Sequence, residues 1–336
     1  MSCFIRIEFH VYLHRGSNNV QVATSEGNSQ GISPAKFCQQ IMAEADRLKE
    51  SLSPSTSDNY FTAIRSFQRF LAEKQSLGSL YSSVMKCFER WLRDNRLCLN
   101  TISCYMRSLK SLASKVYHKE LNGIFDEVYT GRSKTEKRAV QKAEICKIKG
   151  AKVKPGSFLA LVRDLFLFSF YALGMPFVDM AFLRKEQIAD GQIVYYRHKT
   201  GQRISIKIEP CMQEIISRYQ TKSADYVFPL LTAADPDKAY RQYQQKLNQY
   251  NRELKHLAKM SGISKNLTSY VARHSWASAA YDDNVDLPVI SKALGHTNPQ
   301  NTLIYLQQID DLRIQKANRR LLENMKKFSR MIKQIS

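Results

Sequence analysis

The residues of this chain whose types could do chemistry are concentrated in its second half. The stretch Thr268-Ser269-Tyr270-Val271-Ala272-Arg273-His274-Ser275-Trp276-Ala277 is followed by Leu294-Gly295-His296 and then by Tyr305. Further upstream, Arg197-His198-Lys199-Thr200-Gly201 places three basic side chains beside a polar turn. The chemistry on offer is therefore that of guanidinium, imidazole, ammonium and phenol groups. No G-x-x-x-x-G-K-[ST] loop, G-x-S-x-G elbow, H-E-x-x-H or G-x-G-x-x-G occurs, so no nucleotide, metal or dinucleotide site is legible. Asp282-Asp283 and Asp310-Asp311 would suit a metal-dependent nuclease, but neighbouring side chains on a helix point apart. Taken singly, each residue has an ordinary reading. Tyr305 would be a core tyrosine, Arg273 a salt-bridge residue, His296 a satisfied helix-end histidine and Lys199 a solvated turn lysine.

Taken in order and at this spacing, they resemble the tyrosine recombinase (phage integrase) family. Its second box reads H-x-x-R-H-[ST]-x-A, followed by L-G-H and a tyrosine nine residues beyond that histidine. Arg273, His274, Ser275 and Ala277 fit the first part, and Leu294-Gly295-His296 fits the second. Tyr305 stands nine residues after His296, with Thr302 also in its usual place. Gly174-x-x-Phe177-x-Asp179-Met180-x-x-Leu183 resembles the first box, and Lys199 falls on the hairpin where the family keeps a catalytic lysine. The resemblance covers roughly residues 35–330.

The resemblance implies cut-and-rejoin of double-stranded DNA at paired sites, without cofactor. Tyr305 would attack a phosphodiester in line and form a 3′-phosphotyrosine, conserving bond energy for religation. Arg273 would grip two non-bridging oxygens bidentately, as Lys could not, and His296 would donate to the same phosphate. Lys199 would protonate the departing 5′ oxygen. The implied partners are duplex DNA and further copies of the chain, assembled as a tetramer on DNA, with neither a membrane nor a small-molecule substrate. Integration or excision of a mobile element and inversion of a DNA segment remain open as outcomes.

Two positions depart from the family pattern. The first arginine falls at Pro176, and in a similar subgroup at Leu173; neither can donate. Tyr270 stands where the second box has His, and it can still donate a hydrogen bond to phosphate. Losing one preorganised donor costs on the order of 10²–10³ in rate. Three readings follow: Arg197, two residues before Lys199 and expected on the same strand face, replaces the arginine; the enzyme is slow; or the chain is a DNA-binding protein that retains the fold without catalysis. Arg184 is nearby in sequence, at a position without a catalytic role in the family. A type IB-like topoisomerase, acting as a monomer, and an RNA-binding module are more distant alternatives.

The rest of the sequence must position these groups. Of 336 residues, 51 are Lys or Arg and 30 are Asp or Glu, a formal charge of +21 with a pI near 9.7. Such a balance favours nucleic acid as partner over an acidic membrane surface, since each neutralised phosphate releases counterions. The seven cysteines, never spaced C-x-x-C, read as reduced thiols. No signal peptide is legible in Met1–Leu13, and the apolar run Phe158–Ala172 is too short and too interrupted to span a bilayer. A cytoplasmic protein is expected.

The expected fold is mainly α. Residues 1–33 read as a flexible segment and residues 34–130 as a helical, SAM-like DNA-binding domain. Tyr60, Ile64, Phe67 and Leu71 recur at helical spacing; a first helix is expected over Ala35–Leu52. Asn100 is the expected N-cap of a helix whose apolar face carries Ile102, Tyr105, Leu109, Leu112 and Val116. Residues 131–154 form a basic linker, in which Arg132, Lys134, Lys137 and Arg138 are candidate DNA contacts. Residues 155–310 form a mixed α/β catalytic domain of integrase type. It opens with an all-round apolar helix from Phe158, followed by a helix over Phe177–Gln187. Asp190-Gly191 is a hairpin signal, so a small antiparallel sheet is expected, with Ile204, Ile206 and Ile208 on the buried face of the returning strand. Asn298-Pro299 would cap a short helix presenting Tyr305, and residues 311–336 form a basic tail helix.

Overall fold

The computed structural model describes residues 32–74, 79–118, 121–133, 139–219, 221–223, 225–298 and, beyond these, positions 302, 318, 319, 322, 323 and 325. The chain divides into two compact units, residues 1–135 and 136–336.

The first unit is built from α1 (Pro34–Leu48), α2 (Pro54–Glu73), α3 (Ser82–Asp94) and α4 (Leu99–Tyr117). The first two begin alike, with a serine N-cap before a proline at N1. Ser33 accepts from the Lys36 N–H at 3.2 Å and Ser53 from the Thr56 N–H at 3.4 Å, where proline's missing N–H is no loss. The expected stripe on α2 is buried through Tyr60, Ile64 and Phe67. Phe67 is the hub of the core, with its ring 5.9 Å from Phe37, 5.9 Å from Phe70 and 5.0 Å from Phe88.

Two local expectations are corrected here. The helix expected over Ala35–Leu52 ends at Leu48, because the chain turns before the Ser53-Pro54 start of α2. Asn100 is not an N-cap: Cys98 holds that position without a side-chain bond. Asn100 instead faces the chain leaving the unit, donating to the Ser133 carbonyl at 3.2 Å and accepting from the Ser133 N–H at 2.9 Å.

The second unit comprises α5 (Lys142–Lys149), α6 (Phe158–Tyr171), α7 (Phe177–Ala181), α8 (Pro210–Tyr219), α9 (Pro236–Met260), α10 (Val271–Asp282) and α11 (Leu287–Ala293). A three-stranded sheet, β1 (Ile188–Ala189), β2 (Gln192–Tyr196) and β3 (Arg203–Lys207), lies between α7 and α8 in sequence. α6 is the central post, in contact with α5, α8, α9 and α10, which explains its all-round apolar surface. Its one buried acid, Asp164, is satisfied by Arg163 at 2.9 Å, Arg218 at 2.5 Å and the Tyr219 hydroxyl at 2.8 Å. α5 arises inside the basic stretch expected to join the two halves, and it buries Ile145 and Ile148 against this core.

The sheet forms as its alternation requires. β2 and β3 pair antiparallel, with Ile193 opposite Ile206 and Tyr195 opposite Ile204; these four side chains are buried, while Arg203, Ser205 and Lys207 are exposed. Asp190 and Gly191 both take positive φ, 50° and 70°, as a type I′ turn demands. The helix expected over Phe177–Gln187 is shorter: α7 stops after five residues. A 3-10 turn over Lys185–Gln187 then turns the chain into β1.

Candidate active site

Four of the residues singled out by sequence spacing come together in the second unit. Arg273 sits in the first turn of α10 and is 2% exposed, while Arg197 follows β2 and is 5% exposed. Both guanidinium groups are held by backbone carbonyls. Arg273 Nη1 donates to Gly174 at 3.0 Å and its Nη2 to Leu294 at 2.5 Å. Arg197 Nη1 donates to the same Leu294 oxygen at 2.7 Å and to Gly295 at 3.1 Å.

This convergence depends on two glycines with positive φ, Gly174 at 72° and Gly295 at 62°. A Cβ on Gly295 would lie 2.5 Å from Arg197 Cδ, and one on Gly174 would lie 2.9 Å from Arg273 Cα. The glycine of Leu294-Gly295-His296 therefore serves a close approach as well as a turn.

His296 stands beside the pair. Its Nε2 is 3.2 Å from Arg273 Nη2 and its Nδ1 is 2.8 Å from the Thr302 hydroxyl. Since guanidinium can only donate, Nε2 is the acceptor and Nδ1 carries the proton in this state. Burial lowers the His296 pKa to about 4, with the positive charges of Arg273, Arg197 and Lys199 adding to the effect. Lys199 lies exposed in the hairpin turn after β2, and Thr200 reaches the Gly295 carbonyl at 3.4 Å.

The expectation that Arg197 and Lys199 share a strand face is corrected. β2 ends at Tyr196, and Arg197 turns inward because Asp179 awaits it. That carboxylate, 2% exposed, accepts from Arg197 Nε at 3.4 Å and from the His198 N–H at 3.0 Å. Arg184 is directed elsewhere, over the Tyr226 ring at 5.4 Å. Pro176 is buried and is the N-cap residue of α7. Leu173, at φ 55°, packs partly buried against the core.

Tyr270 precedes α10 and is 43% exposed, with its ring 6.4 Å from that of His274. Arg132 is exposed in the first unit. Tyr305, Lys134, Lys137 and Arg138 lie outside the described residues, as do residues 1–31, Pro299 and most of the basic tail. The sequence reading did not name Asp179 or His198 as site residues. Asp179 had a signal, an acid inside a strongly apolar run. The carbonyls of Gly174 and Leu294 had none, because backbone acceptors leave no mark on side-chain patterns.

A buried pair of guanidiniums with an adjacent imidazole, on a helical scaffold with a small sheet, defines a protein equipped to grip an oxyanion such as a phosphate. Residues 158–311 match the Phage integrase family, and residues 36–127 match the Phage integrase SAM-like domain. The chain belongs to the phage integrase family, the tyrosine recombinases. Solved structures of similar fold include the Tn1549 transposon integrase in complex with transposon right end DNA. It has a TM-score of 0.63 and 14% identity, over 85% of this chain and 99% of that one. A lambda integrase dimer bound to a COC′ core site gives a TM-score of 0.58 and 14% identity, over 81% of this chain and 97% of that one. At such identity the likeness is one of fold. The sequence matches none of the curated proteins. Among the described residues, no helix is long and apolar enough to cross a membrane.

Proposed function

We propose that this recombinase cuts and rejoins duplex DNA through a 3′-phosphotyrosine formed at Tyr305, with Arg197 standing in for the arginine absent from Pro176 and Leu173. The observation that carries this reading is the convergence of Arg197 and Arg273 on one carbonyl oxygen, beside His296. Two fixed cations at that point suit the charge that builds on a phosphate's non-bridging oxygens during in-line attack. Lys199 supplies a proton to the leaving 5′ oxygen, and His296 adds a hydrogen bond to the phosphate once the bound anion draws a proton onto its Nε2. Tyr270 contributes a further hydroxyl. Arg132, Lys134, Lys137 and Arg138 bind the DNA backbone, in keeping with the charge of +21. No cofactor enters the cycle.

Recombination needs paired sites, so the working form is a tetramer on DNA, in the cytoplasm, serving integration and excision of a mobile element or inversion of a segment. A lambda integrase of the same fold is known as a tetramer bound to a Holliday junction. The test requires no knowledge of the DNA site. The protein is recovered under denaturing conditions from cells together with their DNA, in wild-type and Tyr305→Phe forms, and attached DNA is sequenced. Attachment in wild type alone supports the reading and reveals the site.

One observation favours a second reading, a DNA-binding protein that has lost catalysis. The turn joining α6 to α7 offers an apolar side chain and a proline where the family places its first arginine. Tight duplex binding with no attached DNA would be its signature.

A further inference from the structure

Ser275 belongs to the run that first marked this chain, yet the chemistry above gives it no part. It stands two residues after Arg273 on α10, and residues two apart on a helix point about 200° away from each other. Arg273 faces the carbonyls of Gly174 and Leu294, while Ser275 faces the chain that enters the second unit. Ser275 is 1% exposed. Its hydroxyl donates to the Val271 carbonyl at 2.8 Å and accepts from the Val140 N–H at 2.9 Å, which commits both its proton and a lone pair.

The entering chain is fastened on both sides of this bond. Lys265 Nζ donates to the Ala139 carbonyl at 2.6 Å. The Val140 side chain is buried in the main core, as are Ile145 and Ile148 of α5. Lys142 meets Asp283, the C-cap of α10, at 2.6 Å; that pair is exposed and holds weakly. The buried link through Ser275 is the stronger one, because a buried N–H deprived of its acceptor is costly.

We propose that Ser275 is a positioning residue, which seats α10 against the entering chain and so fixes Arg273 beside Arg197 and His296. The inference deepens the recombinase reading above, on which its consequence for cleavage rests. Apart from Val271, the buried apolar side chains of α10 are the alanines 272 and 277. Such small side chains form shallow ridges that resist sliding poorly, so directional bonds must set the helix. Arg273 reaches two carbonyls on different elements, Gly174 in the turn before α7 and Leu294 at the end of α11. A shift of α10 by about 1 Å would spoil both bonds.

The test begins on the free, full-length protein with His296 as reporter, since its Nε2 accepts from Arg273. Burial first, then the charge of Arg273, holds the His296 pKa to about 4. Ser275→Ala should raise the midpoint toward 6.5, leaving the ring partly protonated at pH 5.5 by NMR. Ser275→Thr keeps the hydroxyl and should leave the midpoint in place. Lys265→Met cuts the bond at Ala139 from a side chain 44% exposed, without opening the core, and should move the midpoint the same way but less far. Ile148→Val is the control, expected to lower Tm while His296 stays unmoved. On a synthetic duplex of the sequence recovered from cells, single-turnover cleavage by Ser275→Ala should fall about ten- to a hundredfold with duplex affinity kept.

An unmoved midpoint in Ser275→Ala would overturn the assignment, as would an equal rise in Ser275→Thr or in Ile148→Val. Should Ser275→Ala fail to fold, Lys265→Met decides in its place. Wild-type cleavage by Ser275→Ala would also overturn it. A wild type that attaches to no DNA sinks the recombinase reading, while the His296 measurement still decides whether Ser275 positions Arg273.

Discussion

Arg197 and Arg273 donate to a single acceptor, the carbonyl oxygen of Leu294, at 2.7 and 2.5 Å. Two buried like charges repel, so their shared position must be imposed by the surrounding structure. Asp179 neutralises one, the carbonyls of Gly174 and Gly295 each take an N–H, and two glycines leave room for the arginine stems. On the recombinase reading, charge fixed in this way needs no rearrangement as a transition state forms.

If Arg197 does the work of the absent arginine, Arg197→Ala should reduce strand cleavage by about 10²–10³ with little change in duplex affinity. Arg197→Lys should recover little, because an ammonium cannot reproduce the fork that reaches Asp179 through Nε and the Leu294 and Gly295 carbonyls through Nη1. Single-turnover cleavage beside a gel-shift titration separates the two effects. Undiminished cleavage by Arg197→Ala would remove Arg197 from the mechanism.

Leu173 offers the complementary experiment. It lies one residue before Gly174, whose carbonyl holds Arg273. A guanidinium introduced by Leu173→Arg should raise the cleavage rate at least about tenfold in the Arg197→Ala background. Failure to raise it there would mean that the turn between α6 and α7 no longer faces the phosphate.

Gly295→Ala should damage stability and chemistry together. The added carbon meets Arg197 Cδ at 2.5 Å, on a backbone with φ 62°. Strain of this kind costs roughly 1–3 kcal/mol. A lower Tm with cleavage reduced as in Arg197→Ala is expected. Unchanged melting would show that the arginine stem can move aside.

His296 gives a prediction about pH. Burial first, and then the charges of Arg273, Arg197 and Lys199, lower its pKa from 6.5 to about 4. As pH falls below 6.5 the unfolded chain takes up a proton that the folded chain refuses until about 4. Its contribution therefore makes folding stability decline between those values and level off below them. An NMR titration, with the resonance assigned through His296→Gln, should show no protonation at pH 5.5. Bound duplex should raise this pKa, since a phosphate offers the protonated ring an acceptor. A midpoint near 6.5 in the free protein would contradict the geometry.

Much of this molecule was legible in its residue pattern. Alternation of isoleucines with Arg203, Ser205 and Lys207 specified β3 and its buried face, because a strand's period of two leaves little choice of register. Asp190-Gly191 specified the turn before β2, since both positions need positive φ. The uninterrupted apolar run from Phe158 required a helix covered on all sides, and α6 is one. The sequence pattern singled out Arg273 and His296, which the fold brings within 3.2 Å of one another, through types that local sequence can display.

What local pattern could not decide is where long side chains go once other elements arrive. Arg197 reads as the end of a strand, yet it is turned inward by Asp179, 18 residues away, and by carbonyls 97 and 98 residues away in sequence. Asn100 reads as a helix cap, but the returning backbone of Ser133 competes for it and takes both its hydrogen bonds. α7 reads as a longer helix, yet the chain must turn after Ala181 to enter the sheet. In each case the deciding partner is a backbone group or buried acid brought close only by tertiary packing. Such contacts depend on position in space and leave no periodicity behind.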